Sequence, residues 1–379
     1  MASLDDGTAP ARGGALAPLH PRLALLGPQG ASLVLPVCDH YSGTEQRMVK
    51  SLQLQAEMMQ EFGACVFDVT LDCEDGAPVG AEVDQAHTVC ALANQAFNAP
   101  DVLASGVQRR VGARLHAATH PAFASDVAIV VGGAAEALSY VMIPKVESVD
   151  DIEHAVRVID AYAADRATAL PLHVLIESPA AVQRVFDIAA HARVQSISFG
   201  LMDFVSAHGG AIPAAAMGVR AQGDNVSMDQ FHHPLVARAK AEISSACHAF
   251  GKVPAHCVVT EFRDTVALKR AARVAAAEFG YTRMWSIHPD QIRPILEAFS
   301  PTSDEVELAT AIVVRAQEQG WAPIAVNGQL HDRASFRYFW QVLERAHQTG
   351  CAMPDAARDY FQAPFISAGA TGNAASPLR

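Results

Sequence analysis

The chain of 379 residues has no apolar run approaching the roughly 18 to 20 residues that a membrane-spanning helix needs. It also lacks an excess of basic charge. With 28 Lys plus Arg against 40 Asp plus Glu, the formal net charge is −12, which excludes nucleic acid or an anionic membrane as the principal partner and leaves room only for a local basic pocket. No Gly-rich phosphate turn of the GxGxxG type follows the first apolar run, and no internal repeat is visible. The seven cysteines (38, 65, 73, 90, 247, 257 and 351) include no CxxC pair and no clustering with His at zinc spacing. Reduced, buried thiols and a cytoplasmic location are the expectation. Asp5 and Asp6 stand where a secretory signal would be basic, so residues 1–30 read as a flexible leader.

Half of the sequence is apolar, and that half is organised. Short β-branched or apolar runs alternate with longer amphipathic stretches, the pattern of parallel strands joined by helical crossovers. Eight strands are expected at 31–37, 65–75, 107–117, 138–147, 170–178, 196–203, 253–259 and 283–289. Helices are expected near 44–62, 82–97, 120–131, 149–163, 179–192, 232–250, 263–279 and 290–299. Eight such units predict an α/β fold, a (β/α)₈ TIM barrel over residues 31–300, whose active site lies at the C-terminal ends of the strands. Periodicity alone does not exclude an open doubly wound sheet, but polar residues recur at most strand ends rather than at one crevice. Residues 301–350 read as a C-terminal helical extension or lid, with a loop around WAPIAVNGQLHD between two helices, and 351–379 as a disordered tail.

Glu177 closes the run LPLHVLIES, and Asp203 closes SISFGLMD. Carboxylates from neighbouring parallel strands converge on one rim, and two hard oxygen donors with open positions for water and substrate suit an octahedral Mg²⁺. Asp72, Glu74 and Asp75 crowd the end of the second strand, with Asp72 and Glu74 expected on one face and Asp75 starting the loop. Such a cluster is costly without cations among it. Arg114 and His116 lie near the end of the third strand, where a guanidinium could hold a carboxylate or enolate and be held by Glu74. Lys145 at the fourth strand end reads equally as a Schiff-base or electrophilic lysine and as a charge-balancing partner. The backbone around Leu201, Met202 and Asp203 is a candidate for holding a small substrate carboxylate, and His288 reads as a packing residue before proline.

Taken as an ordered set, LDCEDGAP, ARLHA, MIPKVES, VLIESPAAV, FGLMDF and MWSIHPDQI resemble the signatures of the HpcH/HpaI aldolase and citrate lyase β-subunit family, which includes malyl-CoA lyases. The resemblance covers about residues 31–300. It implies a carbon–carbon lyase that binds Mg²⁺, or Mn²⁺ in its place, through Glu177 and Asp203, with Glu74 and Asp75 near the metal's water shell and Arg114 polarising the substrate oxygen. It implies retro-aldol or Claisen-type chemistry on a small β-hydroxyacyl-CoA such as malyl-CoA or citryl-CoA, through an enolate, in a homo-oligomer, trimer or hexamer. NGQLHDRASF is similar to the segment that supplies a base to the neighbouring subunit, with Asp332 at the matching position; Asp332 equally reads as the cap of the following helix. Two departures stand out. LPVCDHYSG lacks the arginine of a PGxRP-like turn after strand one, and PAHCVV, with His256 and Cys257, replaces a PAIDGV-like run. Either leaves open a different acyl carrier or a substrate without CoA, as for a class II pyruvate-type aldolase; a malyl-CoA thioesterase and a non-catalytic binding subunit are the further alternatives.

Overall fold

A computed structural model describes residues 19–27, 34–76, 79–100, 109–219 and 228–361. The chain divides into two compact units, one of residues 33–301 with 345–352, the other of 1–32 with 302–344 and 353–379.

The first unit is a closed barrel of eight parallel strands in sequence order: β1 Cys38–Ser42, β2 Phe67–Asp72, β3 Val111–Arg114, β4 Tyr140–Ile143, β5 Leu172–Ile176, β6 Val194–Phe199, β7 Val253–His256 and β8 Arg283–Ser286. β1 closes against β8, with Cys38 opposite Met284 and Asp39 opposite Trp285. Outward residues such as Val69, Leu71, Val141, Val174 and Ile197 are fully buried under the helices, which is why the strands read as apolar runs. The helices begin where the sequence supplies caps: Ser148 and Asp151 form a capping box before Val149–Tyr162, and the Ser178 hydroxyl accepts from Ala181 N at 3.0 Å to open Pro179–Gln183.

Strand one is not where the apolar pattern put it. Residues 34–37 are extended lead-in, 31–33 lie outside the described residues, and the strand is CDHYS. The reason is a charged layer inside the barrel. Asp39 and Asp68 both meet the fully buried Arg283, at 3.0 and 2.7 Å, and Arg110 joins Asp68 at 2.8 Å. Thr70 donates to Asp39 at 2.6 Å. Inward positions of β1 and β2 are therefore polar; β2 keeps a strict alternation, FDVTLD, but β1 is polar on its outward side too, where His40 and Ser42 contact Ser51, so its alternation is hidden. Gly112 leaves the space that the Tyr140 ring fills; a Cβ there would lie 2.2 Å from that ring. The stretch expected as one helix at 120–131 is a short α-turn, Phe123–Asp126, running into a π-helix, Val127–Val131, and 179–192 is broken at Arg184.

In the second unit, Thr302 and Glu305 form the capping box of helix Ser303–Glu318. The expected loop that follows is a hairpin, Ile324–Val326 with Gln329–His331, turning on Asn327 and Gly328 at φ 51° and 77°. Helix Arg333–Gln348 comes next; its Trp340 is fully buried against the rings of His20, Tyr360 and Phe361. Within the expected leader, Pro21–Leu26 is helical. Within the expected tail, Asp355–Arg358 forms a helical turn, and 362–379 lie outside the described residues. No described helix is long and apolar enough to cross a membrane, and all seven cysteines are free thiols.

Candidate active site

Arg114 ends β3 inside the mouth of the barrel, 4% exposed. Its guanidinium is held by three carboxylates. Nε and Nη2 donate to the two oxygens of Asp72 at 2.6 and 3.0 Å, Nη2 also meets Asp75 at 2.9 Å, and Nη1 lies 2.9 Å from Glu74. The rings of Tyr41 and Trp285 lie 4.9 and 5.9 Å from its central carbon. Burial alone would lower its pKa, but Asp72 and Glu74 outweigh that and hold it above the ordinary value. Asp72, a member of the expected carboxylate cluster with no role of its own assigned, is the partner that grips Arg114 through both oxygens. β2 ends at Asp72, so Glu74 and Asp75 both stand in the following bend, where they reach Arg114 without the strand alternation that was expected to align Asp72 with Glu74.

Glu177 follows β5 directly. Asp203 does not close β6, which ends at Phe199; it lies in the first turn of helix Leu201–Ser206. The turn at Gly200 brings the two acids together: a Cβ on Gly200 would fall 2.4 Å from Glu177 Oε1, so the carboxylate packs on bare backbone. Burial, then the charges of Asp203 and Glu74, push the Glu177 pKa up to about 7. Its Oε2 accepts from Lys145 N at 2.8 Å.

Lys145 Nζ meets Glu74 at 2.6 Å. Although its partial burial disfavours the charge, Glu74 more than compensates and the amine is held above its usual pKa. An ammonium so held is an ion-pair partner; the Schiff-base alternative requires a neutral amine and is not supported.

A cavity of about 180 Å³ joins these groups, lined by Arg114, Asp75, Glu177, Leu201, Met202 and Asp203, with aromatic walls from Tyr41, Phe199 and Trp285. The Trp285 indole N–H is buried without a partner. A larger cavity of about 540 Å³ opens at the opposite end of the barrel, bounded by Arg110, Ser139 and Pro171, which precede β3, β4 and β5. It gathers no convergent carboxylates, and chemistry in this fold belongs at the other end. Among the described residues no three His, Cys, Asp or Glu side chains close around one point as a metal cage. The donor set that fits a cation is the Glu177–Asp203 pair: mutually repelling, oxygen-only and few, with Glu177 buried and Asp203 open to solvent, as suits an ion that keeps part of its water.

The remaining candidates each have partners of their own. His116 is bound through Nδ1 to Asp126 at 2.6 Å and stacks on His120. His256 is fully buried between Lys240, at 2.8 Å, and the Cys257 carbonyl, at 3.0 Å. His288 accepts from Asp290 N and caps a 3₁₀ turn. Asp332, in the second unit, accepts from Ala334 N at 2.9 Å and Ser335 N at 3.3 Å, the geometry of a helix cap.

The family model of HpcH/HpaI aldolase/citrate lyase matches residues 48–289. The chain belongs to this family. It is a lyase of the HpcH/HpaI and citrate lyase β type. A solved citrate lyase from Burkholderia xenovorans LB400 is 44% identical, with a TM-score of 0.71 over 91% of this chain and 100% of that one. The L-malyl-CoA/beta-methylmalyl-CoA lyase of Rhodobacter capsulatus is 29% identical over 249 residues, 62% of this chain and 75% of that protein. The protein CitE of Mycobacterium tuberculosis, solved with magnesium, acetoacetate and coenzyme A, shares the fold at 20% identity and a TM-score of 0.57, covering 83% of this chain and 98% of that one.

Proposed function

We propose that the chain is a Mg²⁺-dependent carbon–carbon lyase that cleaves a small β-hydroxyacyl-CoA of the malyl-CoA or citryl-CoA type, or condenses its products. The observation that carries this reading is that Arg114 and the Glu177–Asp203 pair line one small cavity at the C-terminal mouth of the barrel. Similarity to malyl-CoA lyases supports the thioester.

Glu177 and Asp203 would hold the cation, Mg²⁺ or Mn²⁺, and Leu201 and Met202 would flank the substrate's carboxylate. A cation held there would supply Lewis-acid charge to the substrate's oxygens. Arg114 is fixed in place before substrate arrives, and its contacts to the three carboxylates leave at least one of five N–H donors for an oxyanion. Breaking the bond between the carbinol carbon and the carbon α to the thioester leaves an enolate, whose oxyanion Arg114 stabilises. The aromatic and aliphatic walls keep water away from it. Asp332, brought over the site from a neighbouring subunit of a homo-oligomer, would remove the hydroxyl proton.

A second reading is favoured by one feature: where many CoA-dependent relatives would carry a PGxRP-like turn with its arginine, this chain reads LPVCDHYSG. That favours a class II aldolase acting on free hydroxy acids. The test is a panel of β-hydroxyacyl-CoAs and the corresponding free acids, followed by release of glyoxylate, oxaloacetate or pyruvate. Cleavage of the thioesters alone supports the proposal; cleavage of free acids alone replaces it with the aldolase, and release of CoA without a keto acid replaces it with a thioesterase.

A further inference from the structure

Lys145 holds a backbone conformation that its side chain disfavours. Its φ of 52° lies in the left-handed region, where glycine sits freely and other residues are uncommon. This conformation, two residues past β4, accompanies the N–H contact to Glu177 Oε2 at 2.8 Å. Glycine would supply the same N–H with less strain. What glycine would lack is the ammonium, which reaches Glu74 Oε1 at 2.6 Å, while the other oxygen of Glu74 lies 2.9 Å from Arg114 Nη1. One residue thus touches both halves of the site through two separate chemical groups. Gly200 bounds Glu177 closely as well, so there is little room for the carboxylate to turn away from the Lys145 N–H.

We propose that Lys145 is a positioning residue that ties the cation-binding carboxylate to the arginine clamp. Its N–H orients Glu177, and its ammonium, acting through Glu74, orients the Nη1 edge of Arg114. The side chain of Lys145 is 48% exposed, so its ion pair would count for little in isolation. The pair matters because Glu74 is 9% exposed and shared with Arg114. The inference rests on the assignment of Glu177 and Asp203 to the cation.

The two groups can be separated by substitution. Lys145→Gly and Lys145→Asn delete the ammonium and tolerate the left-handed backbone; Lys145→Val deletes it and opposes that backbone. Binding of Mn²⁺ to the metal-stripped full-length protein is read from the free-ion electron paramagnetic resonance signal, independently of turnover. Lys145→Gly and Lys145→Asn should bind Mn²⁺ within about threefold of wild type, and Lys145→Val at least about tenfold more weakly, the usual scale for losing a ligand's supporting contact. If Lys145→Val does not fold, Lys145→Ala, which meets a milder form of the same backbone conflict, should show an intermediate loss. In turnover, Lys145→Gly should lower kcat about tenfold or more. In a Glu74→Gln background it should add at most about a factor of two, because the route through Glu74 is already cut. Equal Mn²⁺ binding by Lys145→Gly and Lys145→Val overturns the role of the N–H. Wild-type kcat in Lys145→Gly, or independent losses in the double variant, overturns the role of the ammonium. Wild-type protein that binds Mn²⁺ but turns over nothing on the panel overturns the proposed function instead, and the Mn²⁺ comparison still decides the N–H.

Discussion

Asp72 grips Arg114 through two parallel hydrogen bonds, Oδ1 to Nε at 2.6 Å and Oδ2 to Nη2 at 3.0 Å. Tyr41 and the backbone N–H of Gly76 donate to the same carboxylate, each at 2.7 Å. The arginine's orientation is therefore set before any ligand binds. A lysine cannot reproduce a fork of this kind. Arg114→Lys should keep the positive charge among the carboxylates, fold normally, and lose about 10²- to 10³-fold in kcat, the scale of one oxyanion donor. Steady-state kinetics beside a thermal melt check this; a loss below about tenfold would mean that charge alone suffices.

Gly200 gives a steric prediction. A methyl group there would sit 2.4 Å from both Cγ and Oε1 of Glu177. Gly200→Ala should displace the carboxylate and weaken Mg²⁺ binding by about tenfold or more while the barrel stays folded. Titration calorimetry reads the affinity, and unchanged affinity would show that Glu177 is not the ligand that matters.

Glu177 also predicts a pH dependence. Burial and the neighbouring acids push its pKa up to about 7 from the ordinary 4.5. Between those values the metal-free native state holds a proton that the unfolded chain has released, so stability falls as pH rises through this window and levels off above it. The loss is on the order of 3 kcal/mol. Urea unfolding in EDTA at pH 5 and pH 8 should show wild type weaker at pH 8, with Glu177→Gln flattened and with Mg²⁺ restoring wild type. Equal slopes in wild type and Glu177→Gln would contradict it.

The barrel was legible because its outward positions are apolar, and the site because apolar runs end in acids. Where the reading went astray, local chemistry had broken the pattern. β1 is polar on both sides, with Asp39 paired to Arg283 inside and His40 and Ser42 hydrogen-bonded to serines outside, so the apolar segment before it reads as the strand instead. Asp203 owes its place to a turn at Gly200 that periodicity does not register. Asn327-Gly328 is a strong turn signal, but strands of three residues are too short to show alternation. The left-handed Lys145 leaves no trace in residue type, since nothing in PKVES calls for φ above zero.

Asp332 separates cap from base by a choice of substitution. Asparagine caps as well as aspartate, whereas alanine costs about 1 kcal/mol. Asp332→Asn should therefore melt like wild type yet lose most turnover, and mixing it with Arg114→Lys subunits should restore part of the activity in hybrid oligomers. No recovery, with subunit exchange confirmed by mass, would remove Asp332 from the chemistry.

The most direct test of the account is the cation dependence of thioester cleavage in wild type and in the Glu177→Ala/Asp203→Ala double variant. The account predicts that EDTA abolishes release of the keto acid from the β-hydroxyacyl-CoA, that Mg²⁺ restores it in wild type, and that the folded double variant stays inactive at any Mg²⁺ concentration. Turnover that survives EDTA, or a double variant that cleaves as wild type does, would contradict it.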